Sequence, residues 1–190
     1  VEDCVFTGNA GNGGIEAGDS STFRRCAFVG NAMRLQYDSG KSNRFENCLM
    51  AANLRANLGS SYAEHMTIVS NTAEGVWANA ASQKPRLVNS LVADNALGDF
   101  VWVSPATVEN FTLDNCCVQG ASVELLARDS AGRSFAADPR FRSPADCDWR
   151  LKPLSPCREK GLLLEGERDT VDLDRSPRVL DLYGHPSSSA

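Results

Sequence analysis

Cysteine recurs at a fixed interval of 22 residues, at Cys4, Cys26 and Cys48. A frame repeats around it: Val1-x-x-Cys4-x-Phe6-x-Gly8-Asn9, then Phe23-x-x-Cys26-x-Phe28-x-Gly30-Asn31. A third copy, Phe45 to Asn53, keeps the frame with Met50 and Ala52. A period in the twenties points to a solenoid, because one such unit cannot bury its apolar face alone and must stack on its neighbours. Followed along the chain, the cysteine column reads Cys4, Cys26, Cys48, Met66, Ser90, Cys116. Two positions on stand Phe6, Phe28, Met50, Ile68, Val92 and Val118; three positions back stand Val1, Phe23, Phe45, Ala63, Leu87 and Leu113. Five positions on stand Asn9, Asn31, Asn53, Asn71 and Asn95, and the column stops at Ala121.

A spacing of two puts both apolar residues on the inner side of a short strand. The asparagines mark a corner, since Asn tolerates the left-handed conformation and its amide bonds nearby backbone. Stacked at one corner, these amides can also bond one another, which gives Asn9, Asn31, Asn53, Asn71 and Asn95 a structural role. A second strand is expected after each corner, at Gly14–Glu16, Arg34–Tyr37, Gly75–Trp77 and Phe100–Val103. The frame also fits a leucine-rich repeat, but that fold wants a further Leu where this chain has Gly11, Met33, Arg55, Ala73 and Leu97. Arg55 is the sharpest misfit. The expected fold is therefore all-β, a right-handed parallel β-helix over residues 1–137. Val1 already lies inside a repeat, so earlier coils are expected ahead of it.

Residues 138–184 lose the Asn period and gain Pro139, Pro144, Pro153, Pro156 and Pro177. Proline removes backbone donors and stops strand addition, so this stretch is expected to cap the open end of the helix. Residues 185–190 read as a disordered tail. Cys147 and Cys157 lie in this loop-rich part and are the best disulfide candidates by position; Cys4, Cys26 and Cys48 read as small buried hydrophobes, and Cys116 and Cys117 cannot both point inward on a strand.

The phrases His65-Met-Thr-Ile-Val-Ser-Asn-Thr-Ala73 and Val88-Asn-Ser-Leu-Val-Ala-Asp-Asn95 come first, then Asp138-Pro-Arg-Phe141, Asp148-Trp-Arg-Leu-Lys-Pro-Leu-Ser-Pro156, Gly161, Asp172-Leu-Asp-Arg-Ser-Pro-Arg178 and Asp181-Leu-Tyr-Gly184. In that order they resemble the pectin-lyase-like superfamily, specifically bacterial surface and secreted proteins of the polymorphic-outer-membrane and choice-of-anchor kind. Arg175 and Gly184-His185 depart from that pattern. The resemblance implies a secreted or cell-surface setting. Where such proteins are enzymes, they use calcium-binding carboxylates with an Arg or Lys base, or paired carboxylates.

The outward positions of the cysteine-column strand carry no charge: Val5 and Thr7, Ala27 and Val29, Leu49 and Ala51, Thr67 and Val69, Leu91 and Ala93, Cys117 and Gln119. That face excludes a lyase or hydrolase centre and calls for a cover, either the returning tail or a protein partner. The segment before the column is polar, and stacking would align Glu2, Arg24, Glu46 and Glu64 as a ladder of charge pairs. Glu46, Glu64 and His65 are its weak catalytic candidates. The strand after the corner carries Glu16, Gln36, Tyr37, Glu74, Trp77 and Trp102, the aromatic planes and polar groups of a glycan-binding groove, although such rings also pack as rim.

A net charge of −5 argues against a nucleic-acid partner. No apolar run reaches the ~20 residues that span a bilayer. No zinc spacing, phosphate loop or nucleophile elbow occurs, so no metal or cofactor is expected, calcium alone being left open. The reading is a non-catalytic surface module that binds or displays toward glycans. Its alternatives are a polysaccharide lyase, epimerase or hydrolase with its site partly in earlier coils, and an adhesin stalk.

Overall fold

Equivalent residues of successive coils lie directly over one another. The structure, a computed structural model, describes residues 1–10, 18–32, 34, 35, 42–56 and 58–162. The expectations for Gly14–Glu16, for Gln36 and Tyr37, and for the chain beyond residue 162 fall outside these.

Each coil contributes to three parallel sheets. The first sheet holds the cysteine-column strands Val5–Thr7, Ala27–Val29, Leu49–Ala51, Thr67–Val69, Leu91–Ala93 and Cys117–Val118, in that spatial order. The second follows the corner: Arg34–Leu35, Arg55–Ala56, Val76–Ala78 and Phe100–Trp102. The third precedes the column: Thr22–Arg24, Arg44–Glu46, Tyr62–Glu64, Arg86–Val88 and Thr112–Asp114. Sequence reasoning took this last segment as a line of charges; it is a full sheet, with Phe23, Phe45, Ala63, Leu87 and Leu113 buried beneath it.

Register makes the core. Phe6 pairs with Phe28, Phe28 with Met50, Met50 with Ile68, Ile68 with Val92 and Val92 with Val118. The rings of Phe6 and Phe28 stack at 4.8 Å and those of Phe23 and Phe45 at 5.1 Å, close to the spacing of hydrogen-bonded strands. Burying each such side chain contributes about 1.5–3 kcal/mol.

Corners are made by single left-handed residues. Between the third and first sheets these are Asp3, Arg25, Asn47, His65, Asn89 and Asn115, with φ of 48–55°. Between the first and second they are Gly8, Gly30, Ala52, Ser70 and Asp94. The Asn column therefore does not itself adopt the left-handed conformation; the residue before it does, which turns the asparagine inward. Asn31, Asn53 and Asn71 are buried and linked along the axis: Asn9 Nδ2 donates to Asn31 Oδ1 and Asn31 Nδ2 to Asn53 Oδ1, each at 2.8 Å. Asn71 Nδ2 donates to Asn95 Oδ1 at 2.8 Å. Where the column stops, Asp99 takes over. It accepts from Asn95 Nδ2 at 2.9 Å and, through its other oxygen, from the Gly120 N–H at 2.9 Å.

Of the expected cap over 138–184, residues 138–162 are described. The end of the core is covered earlier, by the short helix Val123–Leu126, which buries Leu125. Asp129 then accepts from Asn115 N, Ser134 N and Ser134 Oγ at 2.7–2.9 Å. The described part of the Pro-rich stretch folds along the side. Its antiparallel strands Phe141–Ser143 and Asp148–Leu151 cover the apolar outer face of the first sheet, packing Phe141, Trp149 and Leu151 on Ala51, Val69 and Ala93. The returning tail, one of the two expected covers, lies on these coils.

Candidate functional site

The polar residues of the third sheet are tied together. Arg24 Nε donates to Glu46 Oε2 at 2.6 Å, and Arg44 binds Glu46 Oε1 and reaches Glu64 Oε2 at 3.0 Å. Arg25 clasps Asp3 at 2.8 Å and bonds Glu2. Burial pushes the Glu46 carboxyl up, but the hydrogen bonds from Arg24 and Arg44 together leave it below the usual carboxylate range. A carboxylate whose two oxygens are held by guanidiniums is a poor proton shuttle. His65 stands at the left-handed corner with Nε2 3.4 Å from Asn89 Nδ2. Asn89 is committed to the returning chain: its Oδ1 accepts from Leu162 N and its Nδ2 donates to Leu162 O, both at 2.8 Å. The three weak catalytic candidates thus serve a charge ladder and a docking corner.

The second-sheet candidates do not form one groove. Register sets Trp77 beside Val101 and Trp102 beside Ala78, so the two rings emerge on opposite sides of the sheet. The guanidinium of Arg55 lies 4.2 Å from the centroid of the Trp77 ring, and Arg55 makes a two-pronged ion pair with the buried Glu74. Trp102 is 38% exposed and leans on Phe111, ring centroids 5.9 Å apart. Glu16, Gln36 and Tyr37 lie outside the described residues. Cys147 is exposed and Cys157 half-buried; both are free thiols, and no bond joins them.

A groove does form at the corner that leads into the third sheet. It encloses about 470 Å³ and is lined by Ser20, Ser42, Asn43, Arg44, Ser60, Ser61, Tyr62 and Arg86. Arg44, Tyr62 and Arg86 are neighbours in register. The two guanidinium carbons lie 4.7 Å and 5.5 Å from the centroid of the tyrosine ring, a cation–π arrangement that orders all three side chains. Arg44 is occupied by carboxylates, whereas among the described residues no carboxylate pairs with the exposed Arg86. Asn43 is 2% exposed; its Oδ1 accepts from Ser21 N at 2.9 Å, and its Nδ2 has no partner among the described residues. Hydroxyls, a guanidinium and an ordered phenol on one rim offer donors and acceptors at several heights.

Sequence reasoning missed this groove. The signal was present four to six positions before the cysteine column, where Ser20, Ser42 and Ser60 align, as do Arg44, Tyr62 and Arg86. Among the described residues, no group of three His, Cys, Asp or Glu side chains is placed to hold a metal ion. Nor is any described helix long and apolar enough to cross a membrane.

The family model described as "Right handed beta helix region" matches residues 1–134. No curated protein and no solved structure matches the chain.

Proposed function

Since the chain belongs to the right-handed β-helix family, we propose that it is a non-catalytic module that binds glycans through the groove at Ser42, Ser60, Tyr62 and Arg86. A family of this kind supplies a scaffold, and function has to be argued from the site. The observation that carries the reading is the contrast between two sets of polar groups. The carboxylates suited to acid–base work are consumed by arginines, while the groove offers the Ser42 hydroxyl and the Arg86 guanidinium, which has no counter-ion among the described residues. Such groups match sugar hydroxyls and ring oxygens. The likeness of the tail phrases to bacterial surface proteins of the pectin-lyase-like superfamily supports a secreted or cell-surface setting as part of the same proposal.

The test is a glycan-array screen of the full chain, followed by titration calorimetry on the best ligand and product analysis on polysaccharides. Binding without turnover is expected. Arg86→Ala should weaken binding about tenfold, as the loss of one charge-assisted hydrogen bond does, with an unchanged circular dichroism spectrum. Cleavage of any polysaccharide, or binding indifferent to both Arg86→Ala and Tyr62→Ala, would overturn the proposal.

A further inference from the structure

Two thiols that the glycan groove does not use line one cavity beside the first sheet. Cys117 points outward from the last strand of the first sheet, is only 5% exposed, and donates to Ala137 O at 3.6 Å. Cys157 comes from the returning tail and lines the same cavity as Cys117, about 200 Å³ in volume. Its position is fixed locally: Cys157 N donates to Ser155 Oγ at 3.1 Å, and Ser155 Oγ donates to Pro139 O at 2.5 Å. The neighbouring Cys117 thiol holds the Cys157 thiol below its ordinary value, while Cys157 and burial push Cys117 up. The more accessible sulfur is therefore also the readier nucleophile. Cys26 and Cys48 also stack as neighbours, but at 0% and 2% exposure they are sealed from any oxidant.

We propose that Cys117 and Cys157 form a disulfide clasp that fastens the C-terminal hairpin over the first sheet. The oxidant is an external disulfide, small-molecule or protein. The Cys157 thiolate attacks one of its sulfurs, forming a mixed disulfide and expelling one thiolate. Cys117, deprotonated, then attacks Cys157 Sγ and expels the second. The two protein thiols lose two protons and two electrons, and the oxidant leaves as two thiols. The bond closes the loop from residue 117 to residue 157. That loop contains the whole hairpin and the contacts of Phe141 with Ala51, Val69 and Ala93. Loop closure of this length restricts the unfolded chain strongly.

The full chain is equilibrated in a glutathione redox buffer, alkylated, digested without reduction and sequenced by mass spectrometry. The expected product joins Cys117 to Cys157. It persists in Cys147→Ser and disappears in Cys157→Ser. Oxidation should raise the melting temperature by roughly 5–10 °C in the wild type and in Cys147→Ser, and leave Cys157→Ser unmoved. A Cys147–Cys157 link, a glutathione adduct on Cys157 that never resolves, or free thiols throughout would each overturn the clasp.

Discussion

Asn31 donates its side-chain amide to Oδ1 of Asn53 at 2.8 Å, one coil further along the axis. The same oxygen accepts the Asn31 backbone N–H at 3.1 Å, and Asn53 Nδ2 donates to Phe28 O at 2.8 Å. One buried side chain therefore satisfies three polar groups of the preceding coil. Asn53→Ala removes all three bonds, and only Asn31 Nδ2 keeps a second acceptor, Phe6 O at 3.0 Å. It should cost about 3 kcal/mol, read as a lower urea midpoint at constant slope. A loss below about 1 kcal/mol would mean that water replaces the amide at this corner.

Gly30 and Ala52 occupy the same corner one coil apart, both left-handed, at φ of 64° and 54°. A Cβ added at Gly30 would meet nothing within 4 Å, so its cost is in the backbone alone. Gly30→Ala should destabilise by about 1 kcal/mol. Ala52→Gly should stabilise by about 0.5 kcal/mol, since relief of strain is partly cancelled by the freedom glycine has in the unfolded chain. Thermal melts of the pair should shift in opposite directions. Equal signs would remove the backbone argument.

Asp129 ends the stack by accepting from Asn115, Ala131 and Ser134. Burial pushes its carboxyl up, but those hydrogen bonds together hold it below its ordinary range. An unfolded aspartate titrates near about 3.9. A carboxyl lowered in the folded state contributes stability that is complete above that value and is lost as the pH falls through the lower folded value. Asp129→Asn should cost about 1–3 kcal/mol at neutral pH and flatten the acid limb of the stability curve below about pH 4. Chemical denaturation at several pH values measures both; an unchanged acid limb would assign that slope to other carboxylates.

Much of the fold was legible because stacking forces chemical equivalence. Residues such as Phe6, Phe28 and Met50 share one environment, so the sequence must repeat their character. The charge ladder through Arg24 and Glu46 was legible for the same reason. The candidate groove was less so. Ser42, Tyr62 and Arg86 point to solvent, where no packing partner enforces a common residue type, and the eye passes over the column they form. Trp77 and Trp102 misled because their positions in the two strands differ by one residue, which on a pleated strand moves a ring to the other side of the sheet.

The repeat alone determined the solenoid, its inner files and its corners, because each of these depends only on what recurs at a fixed spacing. Three matters depended on contacts between residues far apart in sequence. Residues 138–162 of the Pro-rich stretch cover the flank of the helix, since the hairpin's Phe141 and Trp149 match the apolar strip of Ala51, Val69 and Ala93. Asp99 replaces the missing asparagine from a different part of the coil. Cys157 lines one cavity with Cys117, and Cys147 is not among its lining residues, because the path of the returning chain sets which side chains gather there, and no spacing along the sequence encodes that path.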